Sequence, residues 1–156
     1  LGDSLCAAIQ YKKKFSKEIF KRYHKGGSLG KNLLLVKDIM TSGKKIPTID
    51  KNKTIGDAAK VISAKKLGLV LVMKKNKLIS IATDGDCRRG LAKFSKNDKI
   101  EKIANRNPFK INEDTTAYKA LSIMNQKKIT SLVVSSKSGK IKGICHIHHL
   151  LSHGIK

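Results

Sequence analysis

The chain carries one pattern twice. The stretch "TIGDAAKVI" at 54–62 lines up with "TAYKALSIM" at 116–124, an offset of 62 residues. "KLGLVLV" (66–72) lines up with "KITSLVV" (128–134) at the same offset. "ISIATDGDC" (79–87) lines up with "KGICHIHHL" (142–150) at an offset of 63, so one residue is added in the hairpin between. Ahead of these, "KIPTI" (45–49) is mirrored by "NPFKI" (107–111). Two copies of one structural unit therefore occupy about residues 36–156, and whatever fold the chain adopts must be built from that unit twice.

Each copy reads β-α-β-β-α. A short extended piece carries a proline. A helix follows, with Thr54 as N-cap and Asp57 three residues on, the capping-box spacing. Ile55, Ala58, Ala59 and Ile62 form its apolar stripe. In the second copy Thr116 caps, and Ala117, Ala120, Leu121 and Met124 form the stripe. A buried strand comes next (Leu69–Val72 or Leu132–Val134), then a turn at "KKNK" or "SKSGK". A second strand (Leu78–Ala82 or Ile141–Cys145) leads into a closing helix. The predicted class is mixed α/β (α+β), with units at 36–98 and 99–156. Neither half has apolar surface enough to stand alone, so the two should share a core. Upstream, residues 1–22 read as a helix with Leu1, Leu5 and Ile9 in one stripe, broken at "HKGGSLG". That makes 1–35 a separate piece.

The chemistry concentrates where the second strand of each copy runs into its closing helix. In the first copy this is Thr83-Asp84-Gly85-Asp86, followed by Arg88 and Arg89. One reading is structural: Asp86 caps the helix and Gly85 allows the turn. The other uses the same geometry for a ligand. Asp86 accepts hydrogen bonds from two ribose hydroxyls, and Thr83 with the helix N-terminus holds a phosphate. Arg88 and Arg89, expected in the first helical turn, are disfavoured there by about 0.3–1 kcal/mol unless an anion binds. A calcium loop is excluded by the absence of the D-x-[DN]-x-[DN]-G pattern and its distal Glu. A catalytic carboxylate pair would need a deep pocket, which nothing else in the chain signals. In the second copy His146, His148 and His149 stand at this place. They read as polar cleft lining or a helix cap, as phosphosugar contacts, or as imidazoles for zinc, although His146 and His148 should share a face that His149 does not.

The repeat pattern resembles the CBS domain pair, named for cystathionine β-synthase. It implies a pseudo-two-fold module whose clefts take adenosyl nucleotides or related ligands through a T/S-x-x-D signature. "LGDSLCAAI", "HKGGSLGKNLLL", "VKDIM", "TDGDCRR" and "KITSLVV", in that order, resemble the C-terminal part of bacterial D-arabinose-5-phosphate isomerases. That family joins a sugar-isomerase (SIS) domain to a CBS pair, so 1–35 would be a SIS remnant and a SIS catalytic domain would be a partner. The family's junction is HPGGxLG, where Lys25 replaces the proline. Its H-x-H-D is matched by His146 and His148 but not by His149. The resemblance places His24 at a catalytic site between subunits, for proton transfer in aldose–ketose isomerisation. The family's other catalytic residues have no counterpart here, so the chain alone is not expected to be catalytic; the alternative is a stand-alone nucleotide-binding CBS module that regulates another protein. The implied ligand set is Thr83, Asp84, Asp86, Arg88, His146 and His148. The implied ligand is a regulatory nucleotide or nucleotide-sugar of the AMP/ATP or CMP-Kdo type, with no required cofactor and no metal. Homo-oligomerisation through CBS and SIS surfaces is also implied, with a place in lipopolysaccharide precursor synthesis.

Composition bears on the alternatives. The net charge of +23 comes from 34 basic and 11 acidic residues and invites a nucleic-acid reading. But only Arg22, Arg88, Arg89 and Arg106 are arginine, and aromatics make up 4% of the chain, so bidentate contacts and stacking platforms are both scarce. A solvated lysine-rich surface accounts for the charge. Cys6, Cys87 and Cys145 are scattered and form no CxxC, which reads as reduced thiols in a cytoplasmic protein. No membrane partner is expected, because the longest nearly apolar run, 67–73, cannot span a bilayer. The first ten residues do not read as a signal peptide, and a start at Leu1 points to a piece of a longer product or a processed chain.

Overall fold

The structure, a computed structural model, describes residues 34–156. The helix expected over 1–22, nearly all of the 1–35 piece, and His24 lie outside the described residues.

A short helix α1 (Val36–Ile39) and strand β1 (Thr41–Ser42) lead into the first unit. That unit is β2 (Thr48–Asp50), α2 (Ile55–Lys65), β3 (Leu69–Lys74), β4 (Lys77–Thr83) and α3 (Asp84–Leu91). The second unit is β5 (Lys110–Asn112), α4 (Ala117–Lys127), β6 (Ser131–Ser135), β7 (Ile141–His146) and α5 (Ile147–Ser152). Each unit is β-α-β-β-α, as the repeat requires. The helix starts follow the sequence. Thr54 Oγ1 accepts from Asp57 N–H at 3.1 Å while Asp57 Oδ2 accepts from Thr54 N–H at 3.1 Å, and Thr116 Oγ1 accepts from Lys119 N–H at 3.3 Å. Such caps contribute about 1 kcal/mol each. Both helices end in a left-handed lysine, Lys66 (φ 55) and Lys128 (φ 53), which lets the chain reverse into the next strand.

The two sheets repeat one topology. β2 pairs parallel with β3 and β3 antiparallel with β4; β5 pairs parallel with β6 and β6 antiparallel with β7. A register shift falls at Val72/Met73 and again at Val134/Ser135. The βαβ crossovers bury one strand of each sheet, and β3 and β6 accordingly read as near-continuous apolar runs. Each unit has its own core beneath its helices. A third cluster, Leu67, Leu69, Leu71, Val133 and Ile144, joins the two units. At about 1.5–3 kcal/mol per fully buried large aliphatic, that shared layer supplies stability neither unit has alone.

The periodicity did not reveal how the units interlock. The segment leading into each unit packs on the other one. Val36 is buried in the second unit's core, and Val36 N–H donates to Thr115 O at 2.8 Å. β1 pairs antiparallel with β7. In the same way Ile100, in the connection between units, is buried in the first unit's core, and Ile55 N–H donates to Asp98 O at 2.9 Å. Glycines permit both crossings. A Cβ on Gly143 would stand 2.5 Å from Thr41 O, and one on Gly90 would stand 2.5 Å from Ile103 Cγ2.

Candidate functional site

The first unit's strand-to-helix junction opens into a cleft of about 660 Å³ that both units line. This lies within the usual range for small-molecule sites. The first unit supplies Thr83, Asp84, Gly85, Asp86, Arg88 and Arg89. The second supplies Phe109, Lys128, Thr130 and Ser131 across the opening. Three cations and two carboxylates line it, an excess of positive charge that favours a ligand with negative charge.

The local sequence dictates the junction. Thr83 is the N-cap of α3, with extended backbone (φ −97, ψ 166). Asp86 N–H donates to Thr83 Oγ1 at 3.1 Å. In return Thr83 N–H and Oγ1–H donate to Asp86 Oδ2 at 2.9 and 2.6 Å. Asp86 is thus the third residue of the helix and not its cap, contrary to the expectation from sequence. The Thr83 hydroxyl, three residues earlier at the strand end, takes up the orphan Asp86 N–H. With α3 beginning at Asp84, Arg88 and Arg89 fall in its last turn, where the dipole does not penalise them. Arg89 Nη2 donates to Asp86 Oδ1 at 2.6 Å, while Arg88 remains exposed at the cleft. Asp84 N–H donates to Gly68 O at 3.1 Å, tying the junction to the start of β3. Behind it, burial first, then the charges of Asp86 and Asp84, push the Cys87 thiol up to about 11. That thiol is inert near neutral pH. Cys145 is likewise buried, free and raised to about 12.

His146 and His148, expected in one ligand set with Thr83 and Asp86, occupy the equivalent junction of the second unit with His149 and, contrary to that expectation, do not line this cleft. His146 is the N-cap of α5, and its Nδ1 accepts from His148 N–H at 3.1 Å. His149 Nδ1 accepts from His146 N–H at 3.3 Å, and its Nε2 stands 3.4 Å from Thr41 Oγ1. The three rings therefore gather around one helix start, with His146 centroids 4.9 Å from His148 and 6.0 Å from His149. The expected separation of His149 from the other two does not occur, because His148 and His149 lie on a helix and not on a strand. Burial, then the neighbouring imidazoles, holds His146 below the usual histidine range. His149 is lowered by burial, then by His153 and His148. Among the described residues no group of three or more His, Cys, Asp or Glu has metal-ligating placement. No helix among them is long and apolar enough to cross a membrane.

Sequence reasoning found Thr83, Asp84, Asp86 and Arg88, which the cleft brings together. It missed Phe109, Lys128, Thr130 and Ser131. The repeat gave a signal that could have found them, since Thr130 and Ser131 correspond to Gly68 and Leu69 on the opposite wall.

The chain belongs to the CBS-domain family, whose pattern matches residues 36–93 and 100–156, and the fold is a tandem CBS pair. It is 38% identical over 154 residues to the arabinose 5-phosphate isomerase KdsD of Francisella tularensis, covering 97% of this chain and 47% of that protein. It is 36% identical to an uncharacterized Rickettsia prowazekii protein, RP505, covering 99% of this chain and 49% of that one. The chain thus spans about half the length of these curated relatives. Among solved structures, the CBS domain pair of protein MJ0100, crystallised with 5′-methylthioadenosine and S-adenosyl-L-methionine, superposes with a TM-score of 0.69 at 26% identity. That match covers 80% of this chain and 99% of the other.

Proposed function

We propose that this chain is the ligand-sensing CBS pair of an arabinose-5-phosphate isomerase, and that its ligand is a nucleotide or nucleotide-sugar held in the cleft between the two units. The observation that carries the reading is the Thr83–Asp86 junction, which puts a carboxylate and a hydroxyl on one wall of a cleft also lined by three cations. Asp86 receives the ribose diol. Arg88 and Lys128 receive a phosphate. Phe109, 47% exposed at the rim, offers a ring face for a base. The relatives named isomerase, and the adenosyl ligands of the MJ0100 pair, support this assignment.

Ligand binding would act on the attached SIS domain by biasing how the two domains pack. Residues 1–35 would be the end of that catalytic domain, and His24 would contribute to its site between subunits. The full protein would interconvert ribulose 5-phosphate and arabinose 5-phosphate for lipopolysaccharide precursor synthesis and would be a homo-oligomer in the cytoplasm. The histidine junction of the second unit, with His146 and His148, would form the wall of the pseudo-symmetric position opposite.

A thermal-shift titration with AMP, ATP, CMP, CMP-Kdo and arabinose 5-phosphate, run on the wild type and Asp86→Ala, tests the reading. Saturable stabilisation by a nucleotide or nucleotide-sugar, lost in Asp86→Ala, is expected; saturation at a hundred times Kd would stabilise by about 2.7 kcal/mol. No shift with any of the five would reduce the junction to a capped turn.

A further inference from the structure

The carboxylate that would receive a ribose diol is already engaged. Thr83 holds Asp86 Oδ2 through two donors, at 2.9 and 2.6 Å. Oδ1, the oxygen left for a ligand, is held by Arg89 Nη2 at 2.6 Å. The two partners of this ion pair differ in freedom: the Asp86 side chain is 23% exposed and the Arg89 side chain 71%. The carboxylate is pinned by the helix cap, whereas the guanidinium can leave. Gly85 makes room for it. The position of a Cβ there lies 3.1 Å from Arg89 Nη1, so the guanidinium is folded back over the first turn of α3, on the cleft side.

Resting on the nucleotide reading above, we propose that Arg89 is a specificity latch for the cleft. In the unliganded molecule it occupies Asp86 Oδ1. On binding, the ligand's diol takes over Oδ1, and the displaced guanidinium turns to the ligand's phosphate. A ligand carrying both groups exchanges one ion pair for another. A nucleoside displaces Arg89 and gives it nothing in return. Inorganic phosphate offers Arg89 a partner but leaves Asp86 Oδ1 without a donor. The cleft thereby selects a ribosyl phosphate over either part alone. Arg88, also at the cleft but not bonded to Asp86, has no such dual role.

The test is isothermal titration of the full chain with AMP, adenosine and inorganic phosphate, on wild type, Arg89→Gln and Arg88→Gln. Removing the latch is worth what an exposed ion pair is worth, so adenosine should bind up to about five-fold tighter to Arg89→Gln. AMP gains the same relief but loses a charge-assisted bond to phosphate worth at least about ten-fold, so it should weaken about two-fold or more in the same variant. The preference for AMP over adenosine should thus collapse from both sides. Arg88→Gln should weaken AMP without improving adenosine. If AMP binds the wild type but Arg89→Gln leaves adenosine unchanged or weaker, the latch is wrong and the nucleotide reading stands. If neither AMP nor adenosine binds any of the three proteins, both fall. Phosphate binding as tightly as AMP would also overturn the latch.

Discussion

The junctions at 83–86 and 146–149 are the same backbone device with different side chains. In each, the residue ending a strand caps the following helix, and the residue three places on returns a bond to the cap's own N–H. In the first the groups are a hydroxyl and a carboxylate, and they stand on the wall of a cleft. In the second both are imidazoles whose ring nitrogens accept backbone N–H groups, and the third ring packs against them. The fold therefore demands that this turn be capped but does not demand how. Duplication leaves two positions that must keep the cap; on the proposed reading one of them also takes a ligand, so that function is grafted onto the turn and does not follow from the fold.

The most disruptive way to probe the pairing is to cut what locks the halves together. Ile100 lies outside both β-α-β-β-α units and is fully buried in the first unit's core. Ile100→Ala should cost about 2–5 kcal/mol, and chemical denaturation should still show a single transition. Two separated transitions would mean that the units are independent and the interlocking segments ornamental.

At the next level, Thr83→Ala and His146→Ala each remove a cap. Each should lower stability by about 1 kcal/mol in denaturant titrations. Only Thr83→Ala should also weaken AMP. Equal effects on AMP would erase the distinction between the junctions.

The smallest effect is on pH dependence. His146 and His149 are held below the ordinary histidine range, so the folded state favours their neutral forms. Protonation would also cost the acceptor nitrogens of the cap. Their contribution is fully present above the unfolded histidine pKa of about 6.5 and is lost as pH falls below it toward the folded values. The melting temperature should drop between about pH 7 and 5, and less steeply in His146→Asn. The hydroxyl cap of the first junction titrates nowhere in that window. An identical pH profile for His146→Asn would show that the imidazole cap is not coupled to folding.

Much of this was legible in the sequence, because the device that made it legible was local. Period-3.6 stripes, Thr caps and short apolar runs fixed α2, α4, β3 and β6 to within a residue or two. Thr83 and Asp86 were legible as a pair through the T/S-x-x-D signature of the resemblance. The assignment of Asp86 as cap failed because Thr and Asp both cap well, and only the strand end decides between them. The arginines were misplaced by the same shift. The opposite wall of the cleft was not legible as a wall. Phe109 and Lys128 reach it through the packing of one unit on the other, which no window of one unit encodes. The exchange of leading segments was invisible for the same reason: Val36 and Ile100 look like ordinary members of the unit that follows them.

On the proposed reading the nucleotide needs the first junction and not its histidine twin. Calorimetric titration of AMP against wild type, Asp86→Ala and His149→Ala tests it most directly. Saturable binding to wild type, none to Asp86→Ala, and wild-type affinity in His149→Ala are expected. Binding that survives in Asp86→Ala and disappears in His149→Ala would put the ligand at the other junction and contradict it.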